Sequence, residues 1–343
     1  MEQDHTTRLV VLIPVFNDWS AVALLLPALD HALKDCRMGT EMTRVEILLI
    51  NDGSTQPLEP GLLAQNFEHL HSVQILHLRR NLGHQRAIAV GLVHVHQYLP
   101  CAAAVVMDGD GEDRPRDVLR LIDEFRRHGQ KTIIFAERAK RLEKIAFRFS
   151  YWLYRTTHWL LTGVRVRVGN FSILPWQAVE RLVIVSEIWN HYAAAIIRAR
   201  LPYRTVPMDR GPRMTGESQM NFVALLVHGF SSISVFSDVV STRLLVAASA
   251  LTVLLAGLTG AVVGVSWTTH LAIPSWAAYM GGLLLLILTQ AVIGSFLLAF
   301  TILSARANMS LIPVRDTPQF VDRLERVFPR DNLSISRLRA EAV

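Results

Sequence analysis

Four carboxylates lie within the six residues from Asp108 to Asp113, which read Asp-Gly-Asp-Gly-Glu-Asp. They directly follow an uninterrupted apolar run, 102–107, which is typical of a buried parallel strand. Because open α/β sheets bind ligands at the carboxyl ends of their strands, this position favours a binding site over a solvated acidic turn. Clustered carboxylates repel one another unless a cation neutralises them, and hard oxygen ligands suit Mg²⁺ or Mn²⁺ shared with substrate phosphates. The acids therefore predict a site for a metal ion and a diphosphate.

Apolar runs that end in polar loops recur along the first part of the chain. The runs 9–15, 45–50, 73–78, 102–107 and 132–136 predict strands, and the segments 19–33, 87–98 and 117–127 predict helices. Strands that alternate with helices predict a mostly parallel α/β sheet. The polar loops follow the carboxyl ends of the strands, so they are expected to converge at one edge of the sheet.

The composition is intermediate between that of a soluble enzyme and that of an integral membrane protein. Of the 343 residues, 51% are hydrophobic and 19% are charged, and the mean hydropathy is +0.29. The apolar excess is concentrated in two uncharged stretches, 244–265 and 276–303. A helix over the first would be about 33 Å long, which is enough to cross a bilayer. Two such neighbours predict two transmembrane helices rather than buried soluble ones.

The distribution of basic residues predicts the orientation of these helices. The linker 266–275 contains no Lys or Arg, whereas Arg243 precedes the first helix and Arg306 and Arg315 follow the second. The positive-inside rule then places both ends, and the large N-terminal domain, in the cytoplasm. Residues 1–8 show no signal-peptide pattern. The two cysteines fit no metal or redox motif and predict no disulfide framework. The net charge of +6 is attributed to attraction to anionic lipid rather than to nucleic acid.

Two segments have an amphipathic pattern. Between Arg138 and Trp159, basic residues alternate with aromatic and aliphatic ones, which is typical of an interfacial helix, or of a helix packed on the sheet with a solvated charged face. The segment 220–236 is a second candidate. The predicted organisation is a catalytic domain at 1–215, with an interfacial helix at 138–163, then a juxtamembrane segment at 216–241, a transmembrane hairpin at 242–303 and a cytoplasmic tail at 304–343.

Four motifs, in this order and spacing, resemble family-2 glycosyltransferases of the GT-A fold. They are VLIPVFND at 11–18, LINDGS at 49–54, RNLGHQRAIAVGL at 80–92 and MDGDGEDRP at 107–115. Within that family they are most similar to the polyprenyl-phosphate hexosyltransferases, the relatives of dolichol-phosphate mannose synthase. The segments 169–172 and 213–220 and the two apolar stretches extend the resemblance to roughly residues 8–303. It implies a GT-A sheet flanked by helices, followed by interfacial helices and two transmembrane helices.

The resemblance also implies roles for individual residues. For the nucleotide sugar, a UDP- or GDP-hexose, it implies contacts with Pro14, Phe16, Asp52, Gly83, Gln85 and Asp108. For Mg²⁺ or Mn²⁺ it implies Asp108, Asp110 and Glu112, the last standing where the family usually has Gln. For the acceptor phosphate it implies Arg213 and Ser218, since a guanidinium offers a bidentate fork to phosphate oxygens. The catalytic set would be Asp108, Asp110, Asn170 and Arg213.

Two positions depart from the family pattern. Asn170 stands where many relatives carry an Asp proposed as a base, and Gln219 replaces a common Lys. Asparagine takes no proton at neutral pH, but a lipid phosphate monoester, with a second pKa near 6, is already largely ionised. Such a nucleophile needs placement and charge screening more than a base. His191 is an alternative polar neighbour, although a lone histidine is more often structural.

The sequence thus predicts an enzyme that transfers a hexose from a nucleotide sugar to a polyprenyl phosphate at the cytoplasmic face of a membrane. Its predicted partners are the two substrates and the bilayer, without nucleic acid, and a homo-oligomer is left open. The alternative is a non-catalytic, membrane-anchored relative that acts as a binding or scaffold protein, motivated by Asn170 and Gln219. A processive polysaccharide synthase is disfavoured because the Gln-x-x-Arg-Trp motif and further apolar spans are missing. Transfer to another lipid also stays open.

Overall fold

A computed structural model describes residues 7–37, 43–59, 61–62, 65–138, 155–164, 168–215, 222–269, 275–307 and 311–329. The described residues divide into a sheet unit and a helical unit. The sheet unit lies within Met1–Glu143, Val166–Val235 and Leu311–Val343, and the helical unit within Lys144–Arg165 and Phe236–Ser310.

The described strands of the sheet unit form one eight-stranded sheet. They are β1 (Arg8–Val15), β2 (Arg44–Asn51), β3 (Leu70–Leu78), β4 (Ala103–Val106), β5 (Ile133–Arg138), β6 (Val168–Pro175), β7 (Tyr203–Met208) and β8 (Val321–Phe328). Their order across the sheet is β7-β5-β6-β4-β1-β2-β3-β8. Only the pairings of β6 with β4 and β5, and of β8 with β3, are antiparallel. The predicted mostly parallel sheet is confirmed.

Helices cover both faces of this sheet. They are α1 (Trp19–Ala32), α2 (His84–Tyr98), α3 (Pro115–Arg127), α4 (Trp176–Leu182) and α5 (Tyr192–Arg198). Alternate residues of β1 point to opposite faces, so that Val11 packs in the core with α1 and α3, and Leu12 packs in the core with α2, α4 and α5. Burial on both faces explains why the central strands are continuous apolar runs that sequence periodicity detects.

The C-terminal segment differs from its prediction as a tail. Pro313–Asp316 forms a short helix and Thr317–Phe320 a 3₁₀ turn, and β8 then pairs with β3, with Leu324 opposite Leu76. The sequence of β8, VDRLERVF, is too charged to resemble the other strands, because an edge strand uses charges to prevent further pairing. At least residues 313–328 therefore belong to the sheet unit, although they follow the two apolar stretches in the sequence.

Helix α6 (Phe222–Ser234) belongs to the sheet unit, as does the short helix α9 (Pro313–Asp316). The helical unit contains two long apolar helices, α7 (Ser237–Thr269) and α8 (Ser275–Ala307). Among the described residues, Ser237–Val265 and Ala278–Thr301 are long and apolar enough to cross a membrane, with mean hydropathies of 2.1 and 2.4. Their apolar side chains are exposed, as a bilayer-facing surface would be. The two predicted apolar helices are confirmed.

The two predicted amphipathic segments are described only in part. Arg138 is the last residue of β5, so a helix does not begin there, and residues 139–154 lie outside the described residues. The range 155–162 is helical. In the second segment, α6 begins at Phe222, and its Phe230 side chain is exposed. The interfacial role of both segments stays a prediction.

Candidate active site

The acid loop after β4 and the segment after β7 lie against each other at the carboxyl edge of the sheet. The backbone N–H of Gly211 donates to the carbonyl of Glu112 at 2.8 Å, and that of Met214 donates to the carbonyl of Asp110 at 3.0 Å. Gly111 between these acids has a φ of +80°, and a side chain there would meet the Met214 side chain. Two segments that are distant in the sequence are therefore held together as one surface.

Two arginines of this segment face the carboxylates. Arg210 pairs with Glu112 and approaches Asp108, with Nη2 3.5 Å from Oδ2. Arg213 lies between Asp110 and Asp18, with Nη2 3.5 Å and 3.6 Å from their Oδ2 atoms. These side chains are between 13% and 30% exposed, so their attraction is less screened than at an open surface. Arg213 was predicted at this site from the sequence, whereas Arg210, three positions before it, was not.

The four acids of the loop 108–113 outnumber the two arginines, Arg210 and Arg213, that face them. Burial raises the pKa of Asp110, and repulsion by Asp108 and Glu112 adds to this, against the backbone N–H of Glu112 and the charge of Arg210. Burial and the charge of Asp108 also raise the pKa of Asp113, whose Oδ2 accepts the N–H of Asp108 at 2.9 Å. Such a cluster favours binding of a further cation.

The predicted metal ligands fit a divalent cation by donor type but are not gathered around one point. Asp108, Asp110 and Glu112 supply carboxylate oxygens, which Mg²⁺ and Mn²⁺ prefer. Among the residues that the structure describes, however, no three His, Cys, Asp or Glu side chains are arranged to hold an ion. A cation bound here would replace contacts that Arg210 and Arg213 now make. The ligand set stays a prediction.

Asn170 reaches this edge because β6 runs antiparallel to β4, which brings the start of β6 beside the acid loop. A chain of hydrogen bonds orients its side chain. The backbone N–H of Tyr192 donates to Oε1 of Gln85 at 2.7 Å, and Nε2 of Gln85 donates to Oδ1 of Asn170 at 3.1 Å. Since a backbone N–H only donates, the direction of both bonds is fixed. Nδ2 of Asn170 is therefore presented to Nε2 of His84, 2.9 Å away.

His84 is a site residue that the sequence analysis missed. Its Nε2 is also 3.2 Å from Oδ1 of Asp108, so it lies between the Asn170 amide and the acid cluster. Burial lowers the pKa of His84, but the charge and hydrogen bond of Asp108, together with the charges of Asp52 and Asp110, outweigh this and the pKa is raised. Nε2 can accept from the amide or, when protonated, donate to the carboxylate. The signal in the sequence was its position beside Gln85 in the RNLGHQR motif.

Asp52 is occupied by backbone groups. Its side chain is buried, and its two oxygens accept the N–H groups of Leu82 at 2.7 Å and Gly83 at 2.9 Å. Burial raises the pKa of Asp52, and these two hydrogen bonds oppose the rise. The carboxylate thus holds the loop after β3 against the loop after β2, a role that the Asp-Gly motif did not reveal. Nucleotide contacts of Asp52 and Gly83 stay a prediction.

We expect Asp52→Asn to destabilise the protein, because an amide offers one acceptor where the carboxylate offers two. A buried N–H left without an acceptor costs about 1–3 kcal/mol. Thermal unfolding of the purified protein in detergent should show a lower midpoint than wild type. Asp35→Asn, at an exposed position near the end of α1, is the control and should leave the midpoint unchanged. Equal midpoints for both variants would contradict the loop-holding role.

Of the other residues predicted from the sequence, some are described by the structure and two are not. Pro14 is buried near the end of β1, and Phe16 is half-buried in the following loop. His191 is buried at the N-terminus of α5, where its Nδ1 accepts the N–H of Ala194 at 3.3 Å, which gives it a helix-capping role. Ser218 and Gln219 lie outside the described residues.

Known proteins provide an independent comparison. The chain is 25% identical over 234 residues to the uncharacterized glycosyltransferase YkcC of Bacillus subtilis, covering 66% of this chain and 68% of that protein. It is 24% identical over 230 residues to undecaprenyl-phosphate 4-deoxy-4-formamido-L-arabinose transferase of Klebsiella pneumoniae, covering 64% of each. The chain therefore spans less than two thirds of that second relative.

Among solved structures, glucosyl-3-phosphoglycerate synthase of Mycobacterium tuberculosis, in complex with Mn²⁺, UDP-glucose and phosphoglyceric acid, is similar with a TM-score of 0.47 and 14% identity. The similarity covers 69% of this chain and 79% of that one. The family profile described as glycosyl transferase family 2 matches residues 10–182, which include the acid loop and Asn170. The chain therefore belongs to glycosyl transferase family 2, as a glycosyltransferase with a mostly parallel sheet and two apolar C-terminal helices.

Proposed function

We propose that this enzyme transfers a hexose from UDP- or GDP-hexose to a polyprenyl phosphate at the cytoplasmic face of a membrane. The observation that carries the proposal is the meeting of the acid loop with Arg210 and Arg213 at the carboxyl edge of a family-2 sheet. A diphosphate needs a cation-rich site and a developing leaving group needs charge neutralisation. The name of the Klebsiella relative, a transferase acting on undecaprenyl phosphate, supports a lipid phosphate as acceptor.

The donor would lie across the loops that follow β1 to β4. Pro14, Phe16 and the Asp52–Gly83 contact would form the nucleotide side of the site, and Gln85 would lie toward the sugar. Asp108, Asp110 and Glu112 would hold Mg²⁺ or Mn²⁺, which when bound would neutralise the diphosphate. These residues bind and orient the donor so that its anomeric carbon faces the acceptor.

The acceptor phosphate would contact the segment after β7. A phosphate monoester with a second pKa near 6 is mostly a dianion at neutral pH, so its oxygen is already a nucleophile. The guanidinium of Arg213 now contacts Asp18 and Asp110, and it would donate two parallel hydrogen bonds to the incoming phosphate. Ser218 would donate a further hydrogen bond. Asn170, held by Gln85, would position substrate without taking a proton.

The order of the strands supports a hairpin whose two outer ends lie on the same side of the membrane. The sheet contains β1 to β7 from before the two apolar helices and β8 from after them. If both helices cross the bilayer, their outer ends must lie on the same side for β8 to reach β3. The absence of Lys and Arg from 266–275 supports the cytoplasm as that side.

The proposal is tested with full-length protein in detergent, incubated with polyprenyl phosphate, Mg²⁺ or Mn²⁺ and radiolabelled UDP- or GDP-hexoses one at a time. We expect label in the lipid extract with one nucleotide class, and none when polyprenol without phosphate is the acceptor. Transfer to polyprenol, or hydrolysis without lipid product for every donor, would contradict the acceptor. Nucleotide binding without any turnover would favour the non-catalytic alternative.

A further inference from the structure

A line of partly buried hydrogen bonds joins the C-terminal strand β8 to the loop after β2. Oε2 of Glu325 in β8 is 3.0 Å from Nε2 of His77 in β3. Nδ1 of the same ring is 3.0 Å from Nδ2 of Asn51, the last residue of β2. Oδ1 of Asn51 then accepts the backbone N–H of Ser54 at 2.9 Å. Three adjacent strands are thereby connected to one turn.

The last of these bonds fixes the direction of all the others. Because the N–H of Ser54 only donates, the oxygen of Asn51 faces it and the Asn51 amide nitrogen must donate to His77. Nδ1 of His77 is then an acceptor, and its proton lies on Nε2, where it is donated to the Glu325 carboxylate. The ring is neutral in this arrangement. Burial and the nearby charge of Arg323 lower the pKa of His77, outweighing Glu325 and Asp322, which agrees with a neutral ring.

The turn held by Asn51 also contacts the loops that follow β1 and β3. Oγ of Ser54 accepts the backbone N–H of Asn17, and Oδ1 of Asn17 accepts the N–H groups of Thr55 at 2.9 Å and Gln56 at 3.0 Å. Gly53 has a φ of +68°, and a methyl group there would come within 2.5 Å of the backbone nitrogen of Asn81. The turn is therefore packed tightly between the loops after β1 and β3, and a shift of Asn51 would be felt in both.

The contact between Glu325 and His77 is more shielded from water than a surface ion pair. The His77 side chain is 7% exposed and the Glu325 side chain 34% exposed, so their contact is partly shielded from water. By contrast, Asp322 on the same strand pairs with its own neighbour Arg323, and both side chains are largely exposed. Glu325 and Asp322 thus provide a matched pair of acids on one strand, of which Glu325 contacts His77 and Asp322 pairs with Arg323.

We propose that β8 positions the nucleotide-binding loop of this enzyme, with Glu325 and His77 as positioning residues that hold Asn51 and the turn 51–56 in the donor-binding shape. The proposal rests on the proposed function for the statement that this loop binds nucleotide. It assigns to a strand that follows the membrane hairpin a direct effect on donor affinity. Neither residue would touch the substrate, and both would act through Asn51.

The test uses full-length protein in detergent and three variants: Glu325→Ala, Glu325→Gln and Asp322→Ala. A glutamine oxygen can still accept the His77 proton, so Glu325→Gln should behave as wild type. We expect Glu325→Ala to weaken binding of UDP or GDP, whichever the wild type prefers, by about fivefold to tenfold, the effect of one lost hydrogen bond. The KM for the donor should rise by the same factor, while kcat and the KM for polyprenyl phosphate stay unchanged. Asp322→Ala should match wild type.

Hydrogen exchange of peptides covering residues 51–56 gives a readout that needs no nucleotide. Glu325→Ala should exchange faster there than wild type, whereas Glu325→Gln and Asp322→Ala should not. If the wild type binds neither UDP nor GDP but this difference is seen, the proposed function fails and the loop coupling stands. Unchanged exchange at 51–56 in Glu325→Ala, or a lower unfolding midpoint with unchanged donor affinity, would overturn the proposal.

Discussion

Asp110→Asn is expected to reduce sugar transfer by at least about a hundredfold, the size of effect seen when one preorganised charge-stabilising group is lost. The substitution is nearly isosteric. Its remaining oxygen can still accept the N–H of Glu112, a 2.9 Å contact in the wild type. What is lost is the negative charge that faces Arg213 and the predicted metal ion. The rate measured at saturating donor, acceptor and Mg²⁺ or Mn²⁺ checks this expectation.

Thermal unfolding separates this effect from misfolding. Because burial and neighbouring carboxylates raise the pKa of Asp110, removing its charge relieves repulsion, and the unfolding midpoint should not fall. Asp123→Asn, at an exposed position on α3, is the control and should retain full activity. Near-normal turnover of Asp110→Asn would show that this carboxylate has no essential role.

Removal of the divalent ion should have an effect of similar size. Chelation by EDTA is expected to stop transfer by the wild type, and added Mg²⁺ or Mn²⁺ should restore it. Arg210 contacts Asp108 and Glu112, and Arg213 contacts Asp110, so a metal ion must compete with these arginines for the three carboxylates. Full turnover in EDTA would indicate that the arginines alone neutralise the diphosphate.

The central sheet was predictable because its strands are buried on both faces. Continuous apolar runs such as 9–15 and 45–50 were each within one residue of β1 and β2. The acid loop was placed at the carboxyl edge for the same reason, since it directly follows such a run. β8 was not predicted because four of its eight residues are charged, and because its pairing with β3 joins residues far apart in the sequence.

Most partners within the site could not be predicted, because they are set by tertiary packing rather than by local pattern. The pairing of Arg210 with Glu112 depends on backbone bonds between two distant loops. The contact of His84 with Asp108 depends on where α2 begins relative to β4. Asp52 illustrates the reverse: its motif was recognised, but its oxygens are used by backbone N–H groups. Spacing in the sequence identifies the loops that meet, and packing decides which side chains pair.

Arg213→Ala is expected to cost about 2–4 kcal/mol of transition-state stabilisation, or about thirtyfold to a thousandfold in kcat/KM. Without the guanidinium, the acceptor phosphate would lose its proposed bidentate donor, and Asp110 would lose a 3.5 Å contact. Arg213→Lys keeps the charge but not the planar fork, so its activity should be intermediate. Arg204→Ala, at an exposed position on β7, serves as the control and should retain activity. Wild-type kinetics for Arg213→Ala would remove this residue from the acceptor site.

Restoring a carboxylate at position 170 should matter much less than losing Arg213. Asn170→Asp could still accept the amide of Gln85, but it would lose the Nδ2 donor that faces His84 and would accept from a protonated His84 instead. If the lipid phosphate arrives as a dianion, no side chain needs to remove a proton from it. The rate should therefore change by less than about tenfold, or 1.4 kcal/mol. A hundredfold gain would show that a base is missing from this chain, and would favour a weakened or non-catalytic member of the family.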